Sequence, residues 1–318
     1  MEPHQAIADL TIGSRVSGFY ILQDVQLRLT SGGKPFLSAT LNDRTASVGA
    51  KFWDYSGPLT EKDAGRIVRV SGSVGEYRGT PQVTLDQIRL AADAERVDLA
   101  SLVPAAPIDA DDVFRNVVSL VDSIQDEDYR RLCREMLARH KQAFLSIPAA
   151  KSVHHGFLNG LLMHTANMLA LADFVAGLYP DVVDRSLLLA GTLLHDFGKE
   201  QEFALSPLGL AVDYSRKGQL LGHLVMCAEE VGELARALDV PEEKAVLLQH
   251  LILSHHGQPE FGAAVRPACA EAELLSYIDM LDSRAEICRE TLAQTPAGAF
   301  SNRIFALENR RVLNHSAD

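Results

Sequence analysis

The sequence predicts two domains of different class, a small all-β domain followed by an all-α helical one. Two observations predict this. Residues 10–90 carry short apolar stretches separated by turn residues, whereas from residue 112 onward apolar residues recur at three- and four-residue spacing. Between them, AADAERVDLASLVPAAPIDAD (91–111) is rich in Ala, Asp and Pro and reads as a linker. The expected division is a β domain over 8–90, the linker over 91–111, a helical domain over 112–300 and a C-terminal tail over 301–318.

In the β domain, strands are expected at roughly 14–29, 35–41, 45–53, 65–75 and 82–90. The turn signals between them are SGGKP at 31–35, NDRT at 42–45 and EYRGTP at 76–81. Five short strands in under 90 residues suit an OB-type barrel, with an SH3-like barrel as the competing arrangement. In the helical domain, segments are expected over 112–145, 157–178, 184–197, 220–238, 241–254 and 270–292. Prolines at 148, 180, 206, 241, 259 and 267 fall between them, where helices start or stop. The tail from about 300 reads as a short helix and a frayed end.

Charge narrows the partners. The chain of 318 residues carries a net charge of −12, unevenly placed. Residues 1–100 hold 11 Lys and Arg against 12 Asp and Glu, so nearly all the excess negative charge lies in the helical part. A globally basic nucleic-acid binder is excluded, but a local basic face on the β domain is not. The four cysteines, Cys133, Cys227, Cys269 and Cys288, are scattered without a CxxC, so neither a disulfide framework nor a Cys-rich zinc site is expected. No uninterrupted apolar run of membrane-spanning length stands out, and MEPHQAIADL lacks the basic and apolar regions of a signal peptide. The expectation is a cytoplasmic protein without a membrane partner. An acidic bundle with apolar surface positions is compatible with homo-oligomers.

Chemistry concentrates in the helical domain. LLAGTLLHDFGKEQEF (188–203) ends a buried-looking helix on His195–Asp196. His164 lies in GLLMHTANML, His223 in LLGHLVM, His255–His256 in LSHHGQPEFG, and Asp279 and Asp282 in YIDMLDSR. A single histidine on an apolar helix is usually a core residue with one hydrogen bond. Five histidines and three aspartates in such contexts would make a costly core unless they hold a metal. A mixed His/Asp set without cysteine favours a catalytic site with open positions over a closed structural zinc.

The order His164, His195–Asp196, Asp279 resembles the H…HD…D signature of the HD-domain metal-dependent phosphohydrolases. HDFGK is similar to the frequent HDxGK form. His223 and His255–His256 resemble the expanded set of two-metal members. IPAAKSVHHGFLNGLLMHT, GQLLGH and LSHHGQPEFG are similar to motifs of the YhaM-type 3′→5′ exoribonucleases, in which an OB domain precedes the HD domain. ADLTIGSRVSGFYILQDVQLR and KPFLSATLNDRTASVGAKFWD resemble its OB segment, so the resemblance covers about residues 8–290. One departure is NGLLMHT, with Asn159 and Met163, where that family tends to read GGLLEHT.

The resemblance implies a multi-domain fold: an N-terminal all-β OB-type barrel followed by an all-α HD-domain helical bundle. It implies two divalent metal ions, manganese foremost, with Fe, Mg, Co or Zn as alternatives. One would be held by His164, His195, Asp196 and Asp279, the other by His223, His255 and His256, with Asp196 bridging. Asp196 and Lys199 would be catalytic, Lys199 as a phosphate contact. Asp279 competes with Asp282 for the last ligand position; the resemblance favours Asp279 and leaves Asp282 to orient a ligand. His155, Tyr214 and Lys217 are further candidates for ligand or substrate contacts; His4, His140, His250 and His315 are taken as ordinary. The implied reaction is hydrolysis of phosphodiesters in short single-stranded RNA, or ssDNA, by a metal-activated hydroxide. In the barrel, Phe19, Phe36 and Trp53, with Tyr20, Phe52 and Tyr77, are candidate base platforms. Arg28, Lys34, Lys51 and Arg78 are candidate phosphate contacts. Two rival readings remain: an HD-type nucleotide or cyclic-dinucleotide phosphohydrolase, and a non-catalytic OB nucleic-acid-binding protein.

Overall fold

The computed structural model describes residues 4–315 except 31, 78, 93, 94, 96, 104, 151–156 and 207. The chain divides into two compact units, Met1–Ala105 with Ser206–Leu208, and Ala106–Leu205 with Gly209–Asp318.

The first unit is a closed five-stranded barrel. Its strands are β1 (Arg15–Leu29), β2 (Pro35–Asn42), β3 (Ser47–Trp53), β4 (Ile67–Tyr77) and β5 (Thr80–Leu90). Their order is β1-β2-β3-β5-β4, closed by β4 on β1, with β3 and β5 parallel and the other pairs antiparallel. This is the OB-type arrangement. Alternation along the strands sends Val16, Tyr20, Leu22, Leu37, Leu41, Val68, Val70, Val83 and Leu85 inward. β1 is long enough to pair with both β2 and β4 because it bends where its register shifts between Gln23 and Gln26, with Asp24 in the left-handed region at φ 48°. The β4–β5 hairpin is tighter than expected. EYRGTP is mostly strand, since pairing continues to Tyr77↔Thr80.

The predicted linker is not wholly irregular. It contains a short helix, α1 (Leu99–Leu102), whose Leu102 is buried, and α2 already begins at Ala110.

The second unit is built from α2 (Ala110–Asp122), α3 (Glu127–Ser146), α4 (Gly160–Leu178), α5 (Arg185–Leu194), α6 (Lys199–Glu202), α7 (Arg216–Ala237), α8 (Glu242–Ser254) and α9 (Ala270–Ala293). The single helix expected over 112–145 is two, because Asp126 caps a new start by accepting from the amides of Asp128 and Tyr129. The second unit is helical as expected, with one small antiparallel hairpin, β6 (Phe203–Leu205) and β7 (Ala211–Tyr214), inserted between α6 and α7. The stretch 203–214 has neither a clear period of two nor a helical period. The tail is a strap rather than a helix: bridges Phe300↔Leu313 and Ile304↔Arg310 enclose a single 3₁₀ turn, Phe305–Leu307.

α4 is the central helix. By length and composition it could cross a membrane, a run the sequence reading overlooked. Here its Leu161, Leu162, Met168, Leu169 and Ala172 join the core formed by α3, α5, α7, α8 and α9. Asn159 begins α4 in the left-handed region at φ 62°. Asparagine suits that position, since it tolerates this conformation better than most side chains.

His140 is not the ordinary histidine expected. Its Nδ1 lies 2.5 Å from Glu200 Oε2 on α6 and its Nε2 2.9 Å from Glu230 Oε1 on α7. The Glu200 and then the Glu230 hydrogen bond raise it to about 9, against the opposing effect of burial. The stability this bracket contributes is complete below the unfolded value of 6.5 and is lost as pH rises through about 9. Glu200 is partly exposed, so solvent screening brings the contribution to about 2 kcal/mol. The Tm gap between the protein and His140→Gln should therefore narrow from pH 7 to pH 10; a constant gap would show that His140 acts by packing alone.

Candidate metal centre

Three of the candidate histidines sit where a helix ends or breaks. His195 and His255 are the C-cap residues of α5 and α8. Each turns Nδ1 back onto a carbonyl of its own helix, Thr192 O and Ile252 O, both at 2.7 Å. A carbonyl only accepts, so Nδ1 carries the proton and Nε2 keeps its lone pair. The same contact satisfies a carbonyl that the helix end would leave open.

His223 is positioned by a break in α7. Gly222 adopts φ 72°, ψ 161°, so His223 begins a new helical segment. Glu202 Oε1 accepts from both the His223 amide and its Nδ1, each at 3.0 Å. His164, within α4, donates Nδ1–H to Asp282 Oδ2 at 2.7 Å, and Asn167 Nδ2 holds the other oxygen of Asp282 at 2.9 Å. All four rings thus bind an oxygen through Nδ1 and keep Nε2 for the centre.

The donors form two triads, His164–His195–Asp196 and His223–His255–His256, each with ligand atoms within 4.8 Å of one another. Asp196, 2 % exposed, lies between them. Its Oδ2 is 3.2 Å from His195 Nε2 and 3.8 Å from His164 Nε2. Its Oδ1 is 3.3 Å from His223 Nε2 and 3.8 Å from His255 Nε2. Asp279 Oδ1 closes the first triad, 3.4 Å from His164 Nε2. Asp282 instead contacts the far nitrogen of His164.

The residues fit divalent metal. Asp196 Oδ1, His223 Nε2, His255 Nε2 and His256 Nδ1 are buried and lack hydrogen-bond partners. Four such atoms in one place would be a heavy cost unless a cation meets them. Protonation states agree. Burial pushes His255 well below its ordinary value and His256 down to about 4, so both stay neutral. Burial works against the charged forms of Asp196 and Asp279. It is outweighed by Lys199 and His195 at the first and by His164 at the second, and both stay ionised. His164 is the exception. Asp279 and Asp282 outweigh its burial and hold it up to about 9. A proton there occupies the place a cation would take, 3.4 Å from His195 Nε2. Metal loading therefore displaces a proton.

Lys199 stands against the Asp196 carboxylate, its Nζ 2.6 Å from Asp196 Oδ2, rather than reaching away from it. Lys217 Nζ is exposed and bonds Gln201 Oε1 at 3.0 Å. Tyr214 lies on β7 with its ring 5.9 Å from that of Phe203. His155, like His154, falls outside the described residues. Sequence reasoning missed Glu202, although its place at the end of the HDFGKEQE run was a usable signal. It also left HDFGK's glycine unexplained: a Cβ on Gly198 would lie 2.3 Å from the His223 backbone oxygen.

In the barrel, the structure brings Phe36, Lys51 and Trp53 together. Phe36 and Trp53 are cross-strand partners with ring centroids 5.0 Å apart. Lys51 Nζ lies 5.3 Å from the Trp53 ring and 4.8 Å from that of Tyr77. Phe19 instead stacks with Arg69, and Lys34 pairs with Asp54. Arg28 is exposed beside Gln26. Tyr20 is fully buried, so it belongs to the core and is no platform. Arg78 lies outside the described residues.

Two substitutions test this geometry. Asp282→Asn should weaken Mn²⁺ binding about 10–100-fold in calorimetric titration by freeing the His164 ring, whereas Asp196→Asn should abolish it. Gly198→Ala should push His223 from the centre, costing the second bound ion while the first stays; retention of both would show that the helix adjusts without loss.

Comparison with known proteins follows the same division. Residues 161–284 match the family model described as "HD domain", which covers less than half of the chain. HD domains are metal-dependent phosphohydrolase modules, and the match supports hydrolytic chemistry at this centre. Among solved structures, the second OB-fold domain of replication protein A from Methanococcus maripaludis is 17% identical, over 30% of this chain and 100% of that one, at a TM-score of 0.23. The OB domain of a Thermoplasma acidophilum protein is 16% identical over 29% of this chain and 89% of that one, at 0.24. At such scores these likenesses carry no argument, and the OB-type assignment rests on the barrel's own strand order and closure.

Proposed function

We propose that this chain is a metal-dependent phosphodiesterase that shortens short single-stranded RNA, and ssDNA by the same chemistry, from the 3′ end. The observation that carries the proposal is Asp196. One buried carboxylate presents one oxygen to His195 and His164 and the other to His223 and His255, the arrangement a two-ion hydrolytic centre requires. Bound divalent ions, Mn²⁺ foremost, would supply an activated water and neutralise the phosphoryl oxygens.

The chain's own residues do the rest. His164, His195, Asp196 and Asp279 hold one position, and His223, His255 and His256 the other. Asp282 and Glu202 fix the rings from behind. Lys199 stands with its ammonium against Asp196, where it would contact a substrate phosphate. No protein nucleophile is needed. The buried Cys227 thiol is pushed up to about 12 by burial and donates to Leu194 O, so it is unsuited to the role. In the barrel, Phe36, Trp53 and Tyr77 around Lys51 suit a single strand, since rings stack on bases and the ammonium meets backbone. Polarity and the choice of RNA rest on the motif resemblance.

The test is degradation of a short 5′-labelled RNA by metal-stripped protein resupplied with Mn²⁺. A ladder shortening from the 3′ end, absent with Asp196→Asn and without metal, is expected. An intact strand under every metal, with turnover of mononucleotides, would move the assignment to a nucleotide phosphohydrolase.

A further inference from the structure

A pocket of about 290 Å³ opens directly beside the centre and shares His255, His256 and Asp279 with it. Its outer wall is apolar: Phe261, Met280, Ile287 and Ala306. Phe261 is 66 % exposed at the mouth, a large ring left in solvent next to a buried polar centre. The polar lining is sparse. Ser276 Oγ donates to Glu273 O at 2.8 Å and Ser283 Oγ to Asp279 Oδ1 at 3.3 Å, so both hydroxyl protons are committed. Arg284 is the cationic donor of this lining, anchored at 3.0 Å by Glu308 of the C-terminal strap and still presenting other N–H groups.

This wall is unlike a phosphate site, which gathers cations. It fits a flat ring with acceptor atoms at its edge. The volume, near the lower limit for ligand pockets of ~300 Å³, admits one nucleoside. One guanidinium fork with an apolar wall reads no particular base, because every base has a π-face and edge acceptors. Phe261, Met280 and Arg284 lie within the segment that matches the HD family, whereas Ile287, Ala306 and Glu308 lie beyond it.

Resting on the phosphodiesterase reading above, we infer that this pocket seats the 3′-terminal nucleoside of the strand being cut. Its base lies against Phe261 and Met280, and Arg284 donates to its edge. The strap 300–313 is then part of the binding site: it supplies Ala306 and aims Arg284 through Glu308.

Two readouts test this. The first does not need turnover. A short strand carrying 2-aminopurine at its 3′ end is added to metal-free protein. Quenching is expected with the wild type and its loss with Phe261→Ala; quenching that Phe261→Ala leaves intact overturns the pocket. The second compares an ordinary strand with one whose 3′-terminal residue is abasic. Phe261→Ala should raise KM about tenfold for the ordinary strand relative to the abasic one, with kcat little changed. Equal losses on both strands would place Phe261 in the support of the centre instead and overturn the proposal. Quenching by the wild type without hydrolysis under any metal would overturn the phosphodiesterase reading while leaving the pocket standing.

Discussion

The second domain depends on one electrostatic problem, a carboxylate taken almost wholly out of water. Asp196 is ionised in a site where burial alone would neutralise it, and its cost is offset by the groups packed around it. Lys199 offsets part of it from the next turn of chain. The histidines of α4, α5, α7 and α8 surround the rest, so the carboxylate ties together helices far apart in sequence. The core of Leu, Ile and Ala that holds these helices in register also excludes the water that would weaken the arrangement.

Around that carboxylate, support comes from behind rather than from the front. Two rings lean on the backbone of their own helices, and two on carboxylates, Asp282 and Glu202. Neutral acceptors suffice where the ring stands at a helix end, since an open carbonyl is already there. His164 lies within a helix, where the carbonyls are used, and His223 starts one, where amides rather than carbonyls are open. Both need a side-chain oxygen, and those oxygens come from α9 and α6.

The sequence made the donors legible because chemistry shows in residue type: imidazoles and carboxylates inside apolar helical stretches stand out one by one. The strands were legible through their alternation, and their ends shifted by only a few residues. What stayed hidden depends on geometry that residue type does not encode. Asp279 and Asp282 are three residues apart on one helix, and only the ring they meet separates their roles: one faces Nε2 and the other Nδ1 of His164. Glu202 takes its role only from the break at Gly222, which turns His223 toward it. Gly198 was a motif letter until the His223 backbone was seen to pass within reach of its missing Cβ. The β6–β7 hairpin left no periodicity to find.

The tethering of His195 and His255 to their own helix carbonyls has a consequence for metal choice. Ring direction is set by the helix end, and it exists before any ion arrives. Little conformational entropy remains to be lost on loading, so affinity comes at low organisational cost. The same rigidity fixes the spacing between nitrogens. An ion must accept distances that the helices dictate, and discrimination among the divalent metals then lies in how far the α-helical frame, rather than any side chain, can yield.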